Sequence, residues 1–133
     1  MDKIKEILDK SKNIAVIGVK NGLTDDAYKI PYYMSLHGYS IFPVNPKLAG
    51  EMLFDKPVVS NVTEIITPID LVNIFRDPKY LFQHAQEILL MKPRPPYVWF
   101  QLGIYNDEAA GLLEENGITV VQNSCIMVEH SNL

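Results

Sequence analysis

Apolar residues along the chain fall into two kinds of segment: groups recurring at helical spacing, and short unbroken runs between them. Ile4, Ile7 and Leu8 share one face of a short amphipathic helix over residues 2–11, whose other face carries Lys, Glu and Asp. Residues 14–19 form an apolar run rich in β-branched side chains. A run without alternation predicts a strand buried on both faces, as in a parallel sheet. A polar loop with two glycines, Gly18 and Gly22, follows, and Thr24 and Asp25 offer caps for a helix ending at His37, with Gly38 as its stop. Proline is tolerated only in a helix's first turn, so Pro31 predicts that regular helix begins as late as residues 28–30.

Residues 40–44 predict a second strand, closed by Asn45-Pro46. Residues 47–56 read as irregular, 57–60 as a short edge strand and 62–66 as one or two helical turns. A third strand covers residues 70–75, and Asp77-Pro78 supplies an N-cap with proline at the first helical position. Leu81, Phe82, Ala85, Ile88 and Leu89 form that helix's buried face, and the Pro93-Arg94-Pro95-Pro96 cluster ends it. Residues 97–101 predict a strand, Asn106 caps a helix with Asp107 and Glu108 in its first turn, and Gly117 stops it. Residues 118–122 form the last strand, and the tail holds one helical turn.

This alternation predicts an α/β fold: a Rossmann-like three-layer sandwich with a parallel sheet of about five strands. Its core comprises Val16, Ile17, Ile41, Val44, Leu71, Val72, Ile74, Val98, Phe100, Val120 and Val121. The expectation is one domain over residues 1–133. With 47% hydrophobic and 21% charged residues, the composition excludes a disordered or fibrous chain. The net charge of −4 argues against nucleic-acid and anionic-membrane partners. A single cysteine, Cys125, predicts a reducing, cytoplasmic setting, and the apolar runs are too short to span a membrane.

In an open parallel sheet, ligands bind beyond the carboxyl ends of the strands, where strand order reverses. The segments after the five strands are Gly18-Val19-Lys20-Asn21-Gly22, Asn45-Pro46-Lys47, Arg76, Gln101-Leu102-Gly103 and Asn123-Ser124-Cys125. They bring Lys20, Lys47 and Arg76 to one edge with no acid among them, an arrangement suited to a phosphorylated ligand. A dinucleotide fingerprint would need G-x-G-x-x-G and an acid closing the second strand. The chain has G-x-x-x-G and Asn45 instead, which argues against NAD, and a Walker-type loop is absent.

Several motifs in order resemble those of small stand-alone CoA-binding domain proteins, whose fold is similar to the nucleotide-binding domain of the succinyl-CoA synthetase alpha subunit. They are Ile14-Ala15-Val16-Ile17-Gly18, His37-Gly38-Tyr39, Phe42-Pro43-Val44-Asn45-Pro46-Lys47, residues 70–76, residues 98–104 and residues 125–130. The resemblance implies that coenzyme A, or an acyl-CoA, lies across the carboxyl edge. It implies that Gly18, Val19, Lys20 and Asn21 wrap the diphosphate, and that Val44, Asn45, Pro46 and Lys47 face the adenosine and its 3′-phosphate. Phe75 and Arg76 close the adenine side, while Gln101, Leu102 and Gly103 line the pantetheine path. Residues 20–26 depart from the commonest family pattern, which has proline and arginine there.

The resemblance implies binding without catalysis, since no nucleophile, base and orienting group can be assembled from these residues. The competing readings are an NAD(P)-binding oxidoreductase-type domain and a structural or interaction protein that has lost the ligand. A protein partner or a homo-oligomer is compatible with all three. Individual residues carry milder readings. Tyr28 and Tyr32 can touch an adenine ring or simply pack on the sheet. His37 favours its helix C-terminus, His84 reads as solvated, and Glu129 and His130 read as a helix-end pair rather than metal ligands. Cys125 reads first as a packing residue. The sharper expectation is a reversible disulfide with the CoA thiol.

Overall fold

The computed structural model describes residues 2–133. Strands β1 (Asn13–Ile17), β2 (Ser40–Val44), β5 (Leu71–Ile74), β6 (Tyr97–Phe100) and β7 (Thr119–Val121) form one five-stranded sheet. Its order is β2-β1-β5-β6-β7, and every neighbouring pair is parallel. Two two-residue strands, β3 (Met52–Leu53) and β4 (Lys56–Pro57), make a separate antiparallel hairpin. The helices are α1 (Lys3–Lys10), α2 (Asp26–Leu36), α3 (Leu81–Ile88), α4 (Asp107–Glu115) and α5 (Ile126–Ser131).

Alternate strand residues face opposite layers, as the two-residue period of a strand requires. Ile14 and Val16 of β1 join Ile41, Leu71, Trp99 and Val121 against Ile7, Leu8, Ile30, Met34 and Ile126 of α1, α2 and α5. Ala15 and Ile17 join Val72, Ile74, Val98 and Phe100 against Leu81, Ala85, Ile88 and Leu113 of α3 and α4. The fold is therefore the Rossmann-like α/β sandwich, and every core residue expected from the sequence is buried. Each fully buried Leu, Ile or Phe contributes about 1.5–3 kcal/mol, so both layers hold the sheet firmly. Trp99 also ties the sheet to the carboxyl edge, because its Nε1–H donates to the Ser124 carbonyl at 2.8 Å.

Three expectations need correction. Helix α2 begins at Asp26, not at residues 28–30, and runs through Pro31. Proline's missing N–H would have paired with the Ala27 carbonyl; the Lys20 N–H, from outside the helix, donates to that carbonyl instead, at 3.2 Å. The segment read as irregular contains the β3–β4 hairpin, turning through Phe54 and Asp55 at φ 54° and 66°. This turn lacks the glycine or asparagine that usually announces such a conformation. The edge strand expected at 57–60 reduces to Lys56–Pro57 of the hairpin and a single parallel bridge between Val59 and Val44.

Among the described residues, no helix is long and apolar enough to cross a membrane.

Candidate functional site

Strand β2 follows β1 on one side, and β5 lies on the other, so the chain's direction of progress reverses at β1. At the carboxyl ends of these three strands lies a cleft of about 320 Å³. This is near the lower end of the ~300–1,000 Å³ typical of ligand pockets. Ile17 and Gly18 line it from β1, Val44, Asn45 and Pro46 from β2, and Arg76 from the segment after β5. Asn61 and Val62 close one side, and Gln83, His84 and Glu87 present a face of α3.

Asn45 fastens the cleft's two glycine- and proline-bearing segments together. Its Nδ2 donates to the Val19 carbonyl at 2.7 Å, and its Oδ1 accepts from the Lys47 N–H at 2.8 Å. The residue standing where a ribose-binding acid would be expected thus needs both a donor and an acceptor, which a carboxylate cannot supply.

Gly18 has φ +85°, and a Cβ there would overlap the Phe75 carbonyl oxygen and lie 3.2 Å from Arg76 Cδ. The glycine is required by the approach of the β1 and β5 segments to each other. The first loop's amides are also partly committed, since Gly18 N–H donates to Val44 O at 3.0 Å and Lys20 N–H to Ala27 O.

Arg76 stands between this cleft and a neighbouring hollow of about 300 Å³ lined by Lys20, Phe75 and Ile104. Its guanidinium lies 4.3 Å from the Tyr80 ring centre. Asp25, Asp26 and Asp77 share that hollow, so the edge is not the acid-free surface expected from the strand-end segments. Asp77 directly follows Arg76, and the other two enter with the first turn of α2.

His84 overturns its solvated reading. Its side chain is only 14% exposed, and its Nδ1 lies 2.9 Å from Glu87 Oε1. Among the described residues, three buried side-chain nitrogen or oxygen atoms lack a hydrogen-bond partner. Two of them, Arg76 Nε and His84 Nε2, belong to residues of this one cleft. Leaving such a group unpaired costs about 1–3 kcal/mol. The helical period of α3 could have flagged His84, because Gln83, His84 and Glu87 fall together on the side facing the β2 end.

The other expected residues divide. Val44, Asn45, Pro46 and Gly18 meet in the cleft with Arg76, whereas Lys20 and Phe75 face the neighbouring hollow. Lys47 is exposed and outside the cleft lining. Val19 is fully buried, packed in the α1/α2/α5 layer, so its side chain cannot contact a ligand. Asn21 is exposed and donates to Glu51 Oε1 at 3.1 Å.

Tyr28 stacks between Tyr32 and Phe54, with ring centres 6.0 and 5.5 Å away, in a separate groove beside β2. Gln101 is 4% exposed, and its Oε1 accepts from Asn73 Nδ2 and from the Ile126 N–H, both at 3.3 Å. It anchors the start of α5 instead of lining a path. Leu102 is exposed, and Gly103, at φ +82°, donates its N–H to Asn123 Oδ1 at 2.7 Å. Cys125 is half-buried at the N-cap of α5, packed against the Trp99 and Ile126 layer and outside the cleft lining. No cluster of three or more His, Cys, Asp or Glu among the described residues could hold a metal ion.

Known proteins share this architecture. A structure from Thermus thermophilus, cell-free ID.343, superposes with a TM-score of 0.93 at 36% identity, covering 99% of this chain and 98% of that one. A hypothetical protein from Pyrococcus horikoshii OT3 gives a TM-score of 0.90 at 35% identity, covering 98% of this chain and 89% of that one. The uncharacterized protein YneT of Bacillus subtilis (strain 168) is 41% identical over 129 residues, 97% of this chain and 93% of that protein. The CoA binding domain profile matches residues 12–131, from the start of β1 to the end of α5, and the chain belongs to that family.

Proposed function

We propose that the protein binds coenzyme A or an acyl-CoA, with the adenosine end in the cleft between β1, β2, β5 and α3. The observation that carries this reading is the cleft itself, lined by Gly18, Asn45 and Arg76 at the point where strand order reverses. Family membership supports the ligand class. A cleft of about 320 Å³ suits a nucleoside better than a whole CoA molecule. The remainder would run along the carboxyl edge, past Arg76 and Lys20 for the diphosphate. Leu102 and Tyr105, exposed by 65% and 59%, offer apolar surface for the pantetheine arm.

Asn45, engaged with both Val19 and Lys47, leaves no carboxylate at the end of β2, where a dinucleotide's ribose diol would need one, and this favours CoA over NAD. The reading is one of binding; it assigns no bond-making step to any residue.

Thermal unfolding with CoA, NAD and ATP in parallel tests it. A ligand at one hundred times its dissociation constant stabilises the native state by about 2.7 kcal/mol. CoA is expected to raise the midpoint by several degrees, with NAD and ATP well behind. No rise with CoA, or a larger one with NAD, overturns the reading.

A further inference from the structure

Helix α2 carries an aromatic and apolar ridge that the fold leaves uncovered. Tyr28, Tyr32 and Leu36 follow one another at four-residue spacing and so line up along one side of the helix. Tyr32 is 47% exposed and Leu36 65%. Single exposed apolar residues need no explanation, but this ridge borders a groove of about 430 Å³. The groove's other wall is the turn of the β3–β4 hairpin, with Phe54, Asp55 and Lys56. Phe54 reaches across to Tyr28, with ring centres 5.5 Å apart, and joins the hairpin to the helix. Ser40 and Ile41, at the start of β2, also line the groove. Strand β2 is an edge of the sheet, and its open side pairs with Val59 alone, beside Pro43, Val44 and Asn45. The start of that edge has no strand against it, a condition that folded chains commonly remedy by covering the edge.

A cover for this face must bring a ridge to fill the groove and a charge to meet its wall. A second copy of the chain brings both. Its own α2 supplies the ridge. Asp55 is exposed on the groove wall, and none of the ion pairs among the described residues includes it. Lys29, three residues before Tyr32 on α2, is exposed, and its ion-pair partner is the exposed Asp26 at 3.9 Å. We propose that the protein forms a two-fold dimer in which the α2 ridge of each copy docks in the groove between α2 and the hairpin of the other. The symmetry makes each contact occur twice, Leu36 entering the groove and Lys29 of one copy meeting Asp55 of the other. Tyrosines suit such a face, since their rings bury area while their hydroxyls stay hydrated at the rim. The face is smaller than the roughly 20–30 residues a side of a standard interface, so the dimer is reversible, with a dissociation constant on the order of tens of micromolar. The groove shares no lining residue with the cleft at the carboxyl edge, and the proposal stands apart from the CoA reading.

Sedimentation velocity of the whole chain at low salt, over roughly 5–500 µM, tests the proposal. The wild-type protein is expected to pass from one chain to two across that range. Leu36→Glu sets a charge where the ridge enters the groove and is expected to weaken the dimer by about tenfold or more. Lys29→Glu and Asp55→Lys each set like charges together twice, and each alone is expected to weaken it by about fivefold. In a mixture of those two variants, the heterodimer has opposite charges at both positions, so the mixture is expected to associate as the wild type does. All three positions are exposed, and circular dichroism checks that each variant keeps the fold. A chain that stays single at every concentration leaves the groove to a different partner and overturns the proposal. A dimer indifferent to Leu36→Glu uses another face and overturns it too. A mixture that associates no better than its components overturns the two-fold arrangement.

Discussion

The amide of Lys20 donates to the carbonyl of Ala27, 3.2 Å away, and this is the carbonyl that Pro31 deprives of its helical partner. A proline inside a helix leaves one acceptor free, and here the first loop of the candidate site supplies the donor. The defect in α2 thereby positions the loop that follows β1. Replacing Pro31 with Ala restores a competing N–H, four residues on from Ala27. Amide hydrogen exchange at Lys20 is expected to accelerate in Pro31→Ala relative to the exchange of β1. Unchanged protection at Lys20 would show that the loop is held by other contacts, such as Asn45 on Val19.

That relationship marks where the sequence was legible. The strands could be read because β1, β2, β5 and β6 are short, nearly continuous apolar segments buried on both faces. Asn106 and Asp77 declared helix starts through local capping, which the structure retains at Ala109 and Lys79. The true start of α2 was hidden because its compensating donor comes from another segment. His84 is covered for a similar reason: Asn45 and Val62, distant in sequence, line the cleft with it, so helical period alone places it on a face without showing what closes over that face. Lone residue types misled at Val19 and Gln101, whose side chains turn into the core and toward the start of α5.

Gly18 is expected to be a folding residue before it is a binding one. A side chain there meets both a positive φ and the Phe75 carbonyl. The left-handed conformation costs about 1–2 kcal/mol and overpacking about 1–3 kcal/mol. Urea unfolding of Gly18→Ala is expected to show a loss of roughly 2–5 kcal/mol, with Gly18→Val worse. A variant within about 0.5 kcal/mol of wild type would contradict the packing account and return the glycine to the ligand.

Asn45 should tolerate Ala better than Asp. Asn45→Ala loses two hydrogen bonds, a cost of about 1–3 kcal/mol by the usual net values. Asn45→Asp keeps the acceptor for the Lys47 N–H but sets carboxylate charge against the Val19 carbonyl, where the amide donated at 2.7 Å. Chemical denaturation at neutral pH is expected to rank wild type above Ala and Ala above Asp. An Asp variant as stable as wild type would show that the Val19 contact contributes little.

Lys47 lies outside the cleft lining and in solvent, so any role it has must be through charge. If the 3′-phosphate of CoA rests beside the turn after β2, Lys47→Ala should weaken CoA by about fivefold at low salt and leave dephospho-CoA unchanged. The difference should shrink as ionic strength rises. Equal losses for both ligands would move the 3′-phosphate elsewhere, with Arg76 and Lys20 as the remaining cations at this edge.

Acid sensitivity is expected to arise away from the cleft, where α5 meets α2. Burial, with the nearby His37 adding to it, holds the His130 imidazole below its ordinary pKa. Its Nδ1 lies 2.9 Å from the Tyr33 hydroxyl, and its ring centre lies 5.2 Å from that of His37 and 5.7 Å from that of Tyr39. The folded state therefore favours the neutral ring, while the unfolded chain takes up a proton more readily. Stability from this group is present above the unfolded value of about 6.5 and is lost as the pH falls from there through the lowered folded one. Urea unfolding across that range should give a declining free energy for the wild type and a shallower decline for His130→Gln, which keeps a polar group toward Tyr33 but cannot titrate. Identical slopes would assign the acid sensitivity to other groups. A shallower slope would assign part of the acid sensitivity to His130, where α5 packs on α2.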